Sequence, residues 1–482
     1  MAQKSVKKNY IFNLSYQVLL LLTPFITTPY LSRTLGASGI GQVSFAESVV
    51  SYFTLFATLG ITIYGQREIS YFQDSPKQRS IVFWNTKILE FCTAGIVLII
   101  YLAFSLFQDN SKLYLILSLN LVSVFFDVTW LLSGLEEFGK IVFRNTILRI
   151  LNIIYIYVFI KTENDVLIYA FGIAFFTCIG NLSLWGYLPK YVERVSIREL
   201  NPFKNIRVVI SLFIPTIAVQ IYTVLDKTMI GVITHNSFEN GYYEQATKIC
   251  RITLTLVTAL GAVMIPRIGF YFQQKNTDEV KRLMYRGYRF VWFLGIPLTF
   301  GLCGISRNFV PWFFGVGFDK VAILIPILSF IILAIGINNV TGMQYLIPTK
   351  RQNIFTATVV IGAVVNICLN YFLIPIYASI GAALASIVAE CVIAIVQIVI
   401  VRKELKPSTI LAQGINYFVA GGIMLAVLLV MDRVLSSSIP NTIMMIVIGA
   451  SVYYTILIII KDEFFLSNAK SIIEKLKAVR GK

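Results

Sequence analysis

A set of ionisable side chains lies within or at the ends of long apolar runs: Arg33, Glu47, Lys87, Glu90, Asp127, Arg149, Asp226, Lys227, Lys248, Arg251 and Glu390. A charge at the centre of a bilayer costs roughly 2.5–3.5 kcal/mol even on a lenient insertion scale, so each of these groups needs a cavity or a partner. Lys248 and Arg251 stand three apart on one helical face, and Asp226 and Lys227 precede them in the previous apolar run. Lysine and arginine in a wet cavity suit an anion, and guanidinium holds phosphate oxygens in pairs, so the implied ligand bears phosphate. Asp127, set between Phe126 and Val128 about halfway along its helix, is the first candidate for a protonatable group. Plainer readings stand beside these. Lys87 and Glu90 pair with each other or snorkel, and Arg149 snorkels from a helix end. Asp226 and Lys227 neutralise one another locally. Glu390, among Gly381, Ala382, Ala383, Ala385 and Ala389, is a protonated packing residue.

The elements carrying these groups follow from composition. With 57% hydrophobic and 13% charged residues the chain is an all-α polytopic membrane protein. Apolar runs of sufficient length give about fourteen transmembrane helices. About thirty of the 41 Lys and Arg fall in alternate connections, and this positive-inside bias places both termini in the cytoplasm. The first span has no small-residue cleavage site and reads as a retained helix. The net charge of +17 marks orientation and attraction to anionic lipid. No segment concentrates it, which excludes nucleic-acid binding. Cys92, Cys178, Cys250, Cys303, Cys368 and Cys391 all lie in spans without metal-type spacing and are packing residues. The single His235 falls in an outward loop and is given no role. No metal site or cofactor is expected.

The second half echoes the first at an offset of about 200 residues. Gly41 to Glu47, Leu59-Gly60, Arg67 and Tyr71-Phe72-Gln73 answer Gly241 to Thr247, Leu260-Gly261, Arg267 and Tyr271-Phe272-Gln273. Asp127-Val128-Thr129 answers Asn339-Val340-Thr341. The charged stretch 189–207 separates six spans from eight. The expected organisation is an N-terminal lobe over 1–200, a C-terminal lobe over 201–405, an appended helix pair over 406–462 and an amphipathic cytoplasmic tail over 463–482. In that tail Ala469, Ile472, Ile473, Leu476 and Val479 share one helical face.

The run from Pro29 to Ser70, PYLSRTLGASGIGQVSFAESVVSYFTLFATLGITIYGQREIS, resembles the amino-terminal signature of Wzx-type polysaccharide flippases in the multidrug/oligosaccharidyl-lipid/polysaccharide (MOP) exporter superfamily. FDVTWLLSGLEEFGKIVFRN, Phe126 to Asn145, and LDKTMIG, Leu225 to Gly231, are similar to two further motifs of that family. The resemblance implies two pseudo-symmetric six-helix lobes around a central cavity plus two C-terminal helices. It also implies alternating-access transfer of an undecaprenyl-pyrophosphate-linked oligosaccharide across a bacterial cytoplasmic membrane, for capsule or another surface polysaccharide. Arg33, Arg67 and Glu68 match the first motif, Asp127, Trp130, Gly134 and Glu136 the second, and Asp226 and Lys227 the third.

On this basis Arg33, Arg149, Lys227, Lys248 and Arg251 are the expected substrate cations, and Asp127, Glu47, Asp226 and Glu390 the carriers of a coupling proton or monovalent cation. Arg67, Glu68 and Glu136 serve gating or topology at the cytoplasmic end. The implied partners are the lipid-linked oligosaccharide, anionic lipids and a polysaccharide polymerase. Rival readings are a lipid II flippase and a small-molecule or cation antiporter of the MATE kind. A membrane polymerase or glycosyltransferase ranks last, because the outward loops are too small for a catalytic domain.

Overall fold

The computed structural model describes residues 6–468, 470 and 474. Over the described residues the chain is helical and contains no strand. It forms two compact units, Met1–Gly241 and Tyr242–Lys482.

The first unit opens with α1 (Val6–Thr58), which changes direction at Gly36, a residue at φ 66° and ψ 177°. Only glycine takes such a conformation at little cost, so one long apolar stretch becomes two segments. There follow α2 (Ile61–Tyr71), α3 (Pro76–Leu106), α4 (Ser111–Phe125), α5 (Thr129–Gly134), α6 (Phe138–Phe159), α7 (Val166–Ser183) and α8 (Ile206–Thr234). Val43, Ala46, Val50, Tyr101, Leu117 and Leu121 are buried in one cluster where α1, α3, α4 and α7 pack. The lobe boundary expected at 200 falls before α8. The compact unit continues to Gly241 because α8 packs against α1 and α2.

Helix α9 (Ser237–Thr258) begins in the first unit and runs on into the second. Then come α10 (Gly261–Gln273), α11 (Thr277–Phe314), α12 (Asp319–Ser329) and α13 (Ile331–Asn338), which passes into a π-helical segment, Asn339–Leu346. The unit is completed by α14 (Gln352–Tyr377), α15 (Ser379–Val401), α16 (Pro407–Ala412), α17 (Ile415–Val434) and α18 (Ile439–Ile459). The last two spans, expected as an appended pair, lie along α11 inside this unit. Trp292 Nε1 donates to the Ile410 carbonyl at 2.9 Å, and the Tyr453 hydroxyl to that of Phe293 at 2.8 Å. Ala469, Ile472, Ile473, Leu476 and Val479 of the expected tail lie outside the described residues.

Among the described residues eleven helices are long and apolar enough to cross a membrane, or twelve if the bent pair Ser237–Thr258 and Val263–Gln273 is one span. Leu22–Tyr71 enters that count once despite its bend, and α8 is not in it. Helix α8 has 29 residues, or about 44 Å against a hydrocarbon core of about 30 Å. Dividing α1 at Gly36 and adding α8 recovers the about fourteen spans expected from apolar run lengths.

The repeat is visible in local structure. The break at Leu59-Gly60 between α1 and α2 recurs between α9 and α10, and the irregular Asp127–Thr129 recurs as the start of the π-helical segment at Asn339. Its first anchors also meet. A methyl group on Gly41 would lie 1.7 Å from the Ser237 carbonyl oxygen, and one on Gly241 would lie 2.0 Å from that of Ala37. The contact is reciprocal, with Ala37 and Gly41 of α1 facing Ser237 and Gly241 of α9, and Ser38 and Ser237 hydroxyls 2.7 Å apart. Small residues let helix backbones approach this closely in lipid. Changing Gly41 to alanine is expected to force the two helices apart and to cost about 1–3 kcal/mol of overpacking, lowering the melting temperature of the purified protein. Gly95→Ala, where a methyl meets nothing within 4 Å, leaves it level or slightly raised; equal behaviour of the two variants would contradict the crossing.

Candidate functional site

The carboxylate that sequence reasoning singles out sits at a break in a span. Between α4 and α5 the chain leaves the helix at Asp127, and the Asp127 carboxylate accepts from the Thr129 amide at 2.8 Å and the Thr129 hydroxyl at 2.6 Å. A broken helix frees carbonyls that water would satisfy at a surface, whereas in lipid the protein must satisfy them. Here Asn181 donates to Ser123 O at 3.1 Å and Trp185 Nε1 to Phe126 O at 2.9 Å. Lys87 donates to Asp127 O at 2.8 Å and to Val124 O at 3.3 Å. Its remaining donor meets Glu90 at 2.6 Å, with both side chains fully buried. An ammonium has three donors, and all three are taken. Of the two readings of Lys87 and Glu90, pairing holds and snorkelling does not. The other Glu90 oxygen, Oε1, has no hydrogen-bond partner among the described residues.

The other expected residues are distributed over both units. In the first, Arg33 is exposed on α1 and donates to Pro29 O at 3.2 Å. Glu47 on α1, Arg149 on α6, and Asp226 and Lys227 on α8 are half-buried. Next to Asp226 and Lys227, the Thr228 hydroxyl lies 3.0 Å from that of Ser48 and 3.2 Å from that of Tyr52. Arg67 and Glu68 bind each other at 2.8 Å. Glu136 is exposed in a turn at φ 57°. Its neighbour Glu137 makes the contacts, accepting from the Tyr191 hydroxyl at 2.8 Å and standing 3.6 Å from Lys140. Lys140 lies over the rings of Tyr187 and Tyr191. Arg79, which the sequence offers only as a topology marker, is buried and ties Gln73 O to Tyr191 O at 2.7 and 2.8 Å.

In the second unit Lys248 faces Glu244 at 3.7 Å, one helical turn back, and Arg251 is exposed on the same helix. Glu390 is buried on α15, where Asn338, the last residue of α13, donates to its carboxylate and, at 3.2 Å, to its carbonyl. At the base of the π-helical segment Arg351 grips Glu404 through two bonds of 2.8 and 2.9 Å, joined by the Tyr345 hydroxyl. Partial burial acts to raise the Glu404 carboxyl, but the Arg351 and Tyr345 bonds outweigh it and hold the group below its ordinary value.

Sequence reasoning also passed over a groove of about 730 Å³ between α10, α11 and α18. Arg267 and Arg286 line it together with Phe290, Phe293, Tyr454 and Phe465. Beside it Arg289 binds Asp462 at 3.0 Å and the Tyr417 hydroxyl at 3.1 Å, which fixes the end of α18 to α11 and α17. No grouping of His, Cys, Asp and Glu among the described residues would hold a metal ion.

Residues 6–272 match the family described as polysaccharide biosynthesis protein. The chain belongs to this family. It is 22% identical over 406 residues to a putative O-antigen transporter of Escherichia coli (strain K12), a match covering 83% of this chain and 97% of the relative. Its fold matches that of a solved lipid II flippase, MurJ in an inward closed conformation, with a TM-score of 0.75, 17% identity, and coverage of 95% of this chain and 99% of that one. A MATE family multidrug resistance transporter of the MOP superfamily in an inward-facing conformation gives 0.63, 14% identity, and coverage of 87% and 98%. At these identities the two structures establish the fold, which is the two-lobed, all-helical MOP architecture of a multi-pass membrane protein. The resemblance drawn from the Pro29–Ser70 and Phe126–Asn145 motifs is therefore borne out in family and in fold.

The break at Asp127 gives a sharp expectation. Lys87→Met strands Glu90 and the Asp127 carbonyl in the interior, since Val124 O keeps the Asp127 amide at 3.1 Å, and loss of one partner of a buried pair costs about 3–5 kcal/mol. Unfolding of the purified protein should shift accordingly, and adding Glu90→Gln should recover part of the loss. A Lys87→Met protein as stable as wild type would show that the ammonium does not hold the break.

Proposed function

We propose that this chain is a flippase that moves an undecaprenyl-pyrophosphate-linked oligosaccharide from the cytoplasmic to the outer leaflet of a bacterial cytoplasmic membrane, for assembly into capsule or another surface polysaccharide. The observation that carries the reading is the groove in the second unit, with two arginines beside an aromatic and aliphatic wall. A polyprenyl pyrophosphate has that division of chemistry, an anionic head that guanidinium holds in pairs and a chain that needs only apolar surface. The positive-inside bias puts Arg267 and Arg286 at the cytoplasmic face, where such a lipid would load. The printed role of the Escherichia coli relative, a putative O-antigen transporter, agrees with the class of cargo.

In this reading the protein transports and does not catalyse. Arg33, Arg149, Lys227, Lys248 and Arg251 contribute cationic contacts to the cargo, and a membrane polymerase consumes the product. Movement of a proton or monovalent cation through Asp127, Glu47, Asp226 or Glu390 drives the cycle.

Accumulation of lipid-linked oligosaccharide in cells lacking the protein tests the proposal. Intermediates should collect on the cytoplasmic leaflet and be cleared by wild type. Alanine at Arg267, Arg286, Arg33, Lys227 or Arg251 removes a charge-assisted contact of about 1.5–3 kcal/mol, a roughly ten- to hundred-fold weaker hold, and should slow clearance at normal expression. Collapsing the ion gradients should slow it as well. Oligosaccharide reaching the outer leaflet at the wild-type rate without the protein or any redundant transporter sinks the reading, and clearance indifferent to the gradients removes the coupling step.

A further inference from the structure

A cavity of about 240 Å³ lies in the first unit, where the turn between α3 and α4 meets the turn between α8 and α9. Its apolar wall comes from Phe45, Leu113 and Tyr114, and its polar side chains include Gln108, Asp109 and His235. Most polar groups nearby are occupied. Ser237 bonds Ser38, the Asn236 side chain accepts from the Phe238 amide at 3.0 Å, and the buried Asn240 amide bridges Lys227 O at 2.8 Å and the Gly231 amide at 3.0 Å. The side chains of Gln108, Asp109 and His235 form no hydrogen bond or ion pair with any described residue. Thus a half-buried carboxamide, an exposed carboxylate and an exposed imidazole, none bonded to a described residue, border one open space with an aromatic wall.

The backbone holds His235 in place. It stands at φ 49°, in the left-handed region that a residue with a Cβ enters at a cost, and its amide caps α8 through Gly231 O at 3.1 Å. Observed strain of this kind motivates a search for a function. No lysine or arginine lines the cavity, so it does not suit a phosphate. Its chemistry suits a neutral ligand with an apolar face and a dense set of hydroxyls. Asp109 accepts from hydroxyl groups, Gln108 both donates and accepts, His235 does the same through its two nitrogens, and the rings of Phe45 and Tyr114 take C–H surface.

We propose that this cavity is a saccharide subsite, binding one neutral sugar unit of the transported oligosaccharide at the end of the bundle that the charge bias assigns to the outer face. The inference rests on the oligosaccharide reading above and adds to it a contact for sugar, where the arginines and lysines address the pyrophosphate.

His235 is the only histidine in the chain, so isotope-labelled histidine gives a single imidazole signal by NMR in the intact protein. Free hexoses and N-acetylhexosamines serve as probes, with glycerol as the control. The expected result is a saturable shift with at least one sugar in the millimolar range, roughly ten-fold weaker in Gln108→Ala and in Asp109→Asn. Both variants should keep the wild-type melting temperature. No saturable shift with any sugar up to about 100 mM overturns the subsite, as does an equal response to glycerol or responses unchanged in both variants. Clearance of lipid-linked oligosaccharide in cells, followed alongside, separates the two levels. Clearance without a sugar response overturns the subsite alone, whereas a sugar response in a protein that clears nothing supports the subsite and counts against the transport reading.

Discussion

The irregular part of the first unit depends on one ammonium group. Where α4 stops and α5 begins, the span exposes carbonyls inside a bundle that lipid surrounds, and lipid offers no donor. Lys87 meets two of these carbonyls and Glu90 together, while Trp185 and Asn181 meet two more. A buried ion pair is a poor source of net stability, because desolvation offsets most of its attraction. Its value here is geometric. It keeps a non-helical turn at membrane depth and so brings the Asp127–Gly134 stretch into place, with Trp130 buried against Phe83.

The second unit meets the same requirement by other means. At the position answering Asp127 the chain has Asn339 and continues as π-helix, which keeps its backbone bonded while changing its pitch. Neutral amides and hydroxyls do the local work: Asn338 on Glu390, Tyr288 with Thr341 at 2.8 Å, and Gln397 donating to Thr358 at 3.0 Å. One half therefore breaks its helix around a buried ion pair, whereas the other bends it among amides and hydroxyls, with the Arg351–Glu404 pair at its base. Both retain an irregular backbone only where protein surrounds it. Non-helical or under-wound turns of this kind are the points at which membrane helices bend, which is what a transport cycle asks of them.

Much of this was legible in the sequence because it rests on one-dimensional signals. Apolar run length gives the spans, and the repeated anchors Gly41 and Gly241 proved to be the residues at which α1 and α9 touch. The roles of single residues were less legible, since a side chain's task depends on which neighbours remain uncommitted. Asp127 reads as a carrier from its apolar flanks, and only the fold shows that two bonds from Thr129 also tie its carboxylate into the turn that follows. Glu136 and Glu137 are indistinguishable by type, and only the fold shows that the second faces Lys140 and Tyr191. His235 has no partner nearby in sequence, yet two turns distant in the chain bring it and Asp109 to the lining of one cavity. The end of the first unit at Gly241 depends on the packing of α8, for which composition carries no signal.

The central claim is that the protein itself carries a lipid-linked oligosaccharide across a bilayer, and reconstitution tests it most directly. Liposomes containing the lipid-linked oligosaccharide, with and without the purified protein, would be treated with a membrane-impermeant reagent that oxidises sugars. Without protein only the outer-leaflet share is reached. The account predicts that with protein and an imposed ion gradient the sheltered share also becomes reachable with time. A sheltered share as large with the protein as without it, in vesicles shown to be sealed and to contain folded protein, would contradict the account.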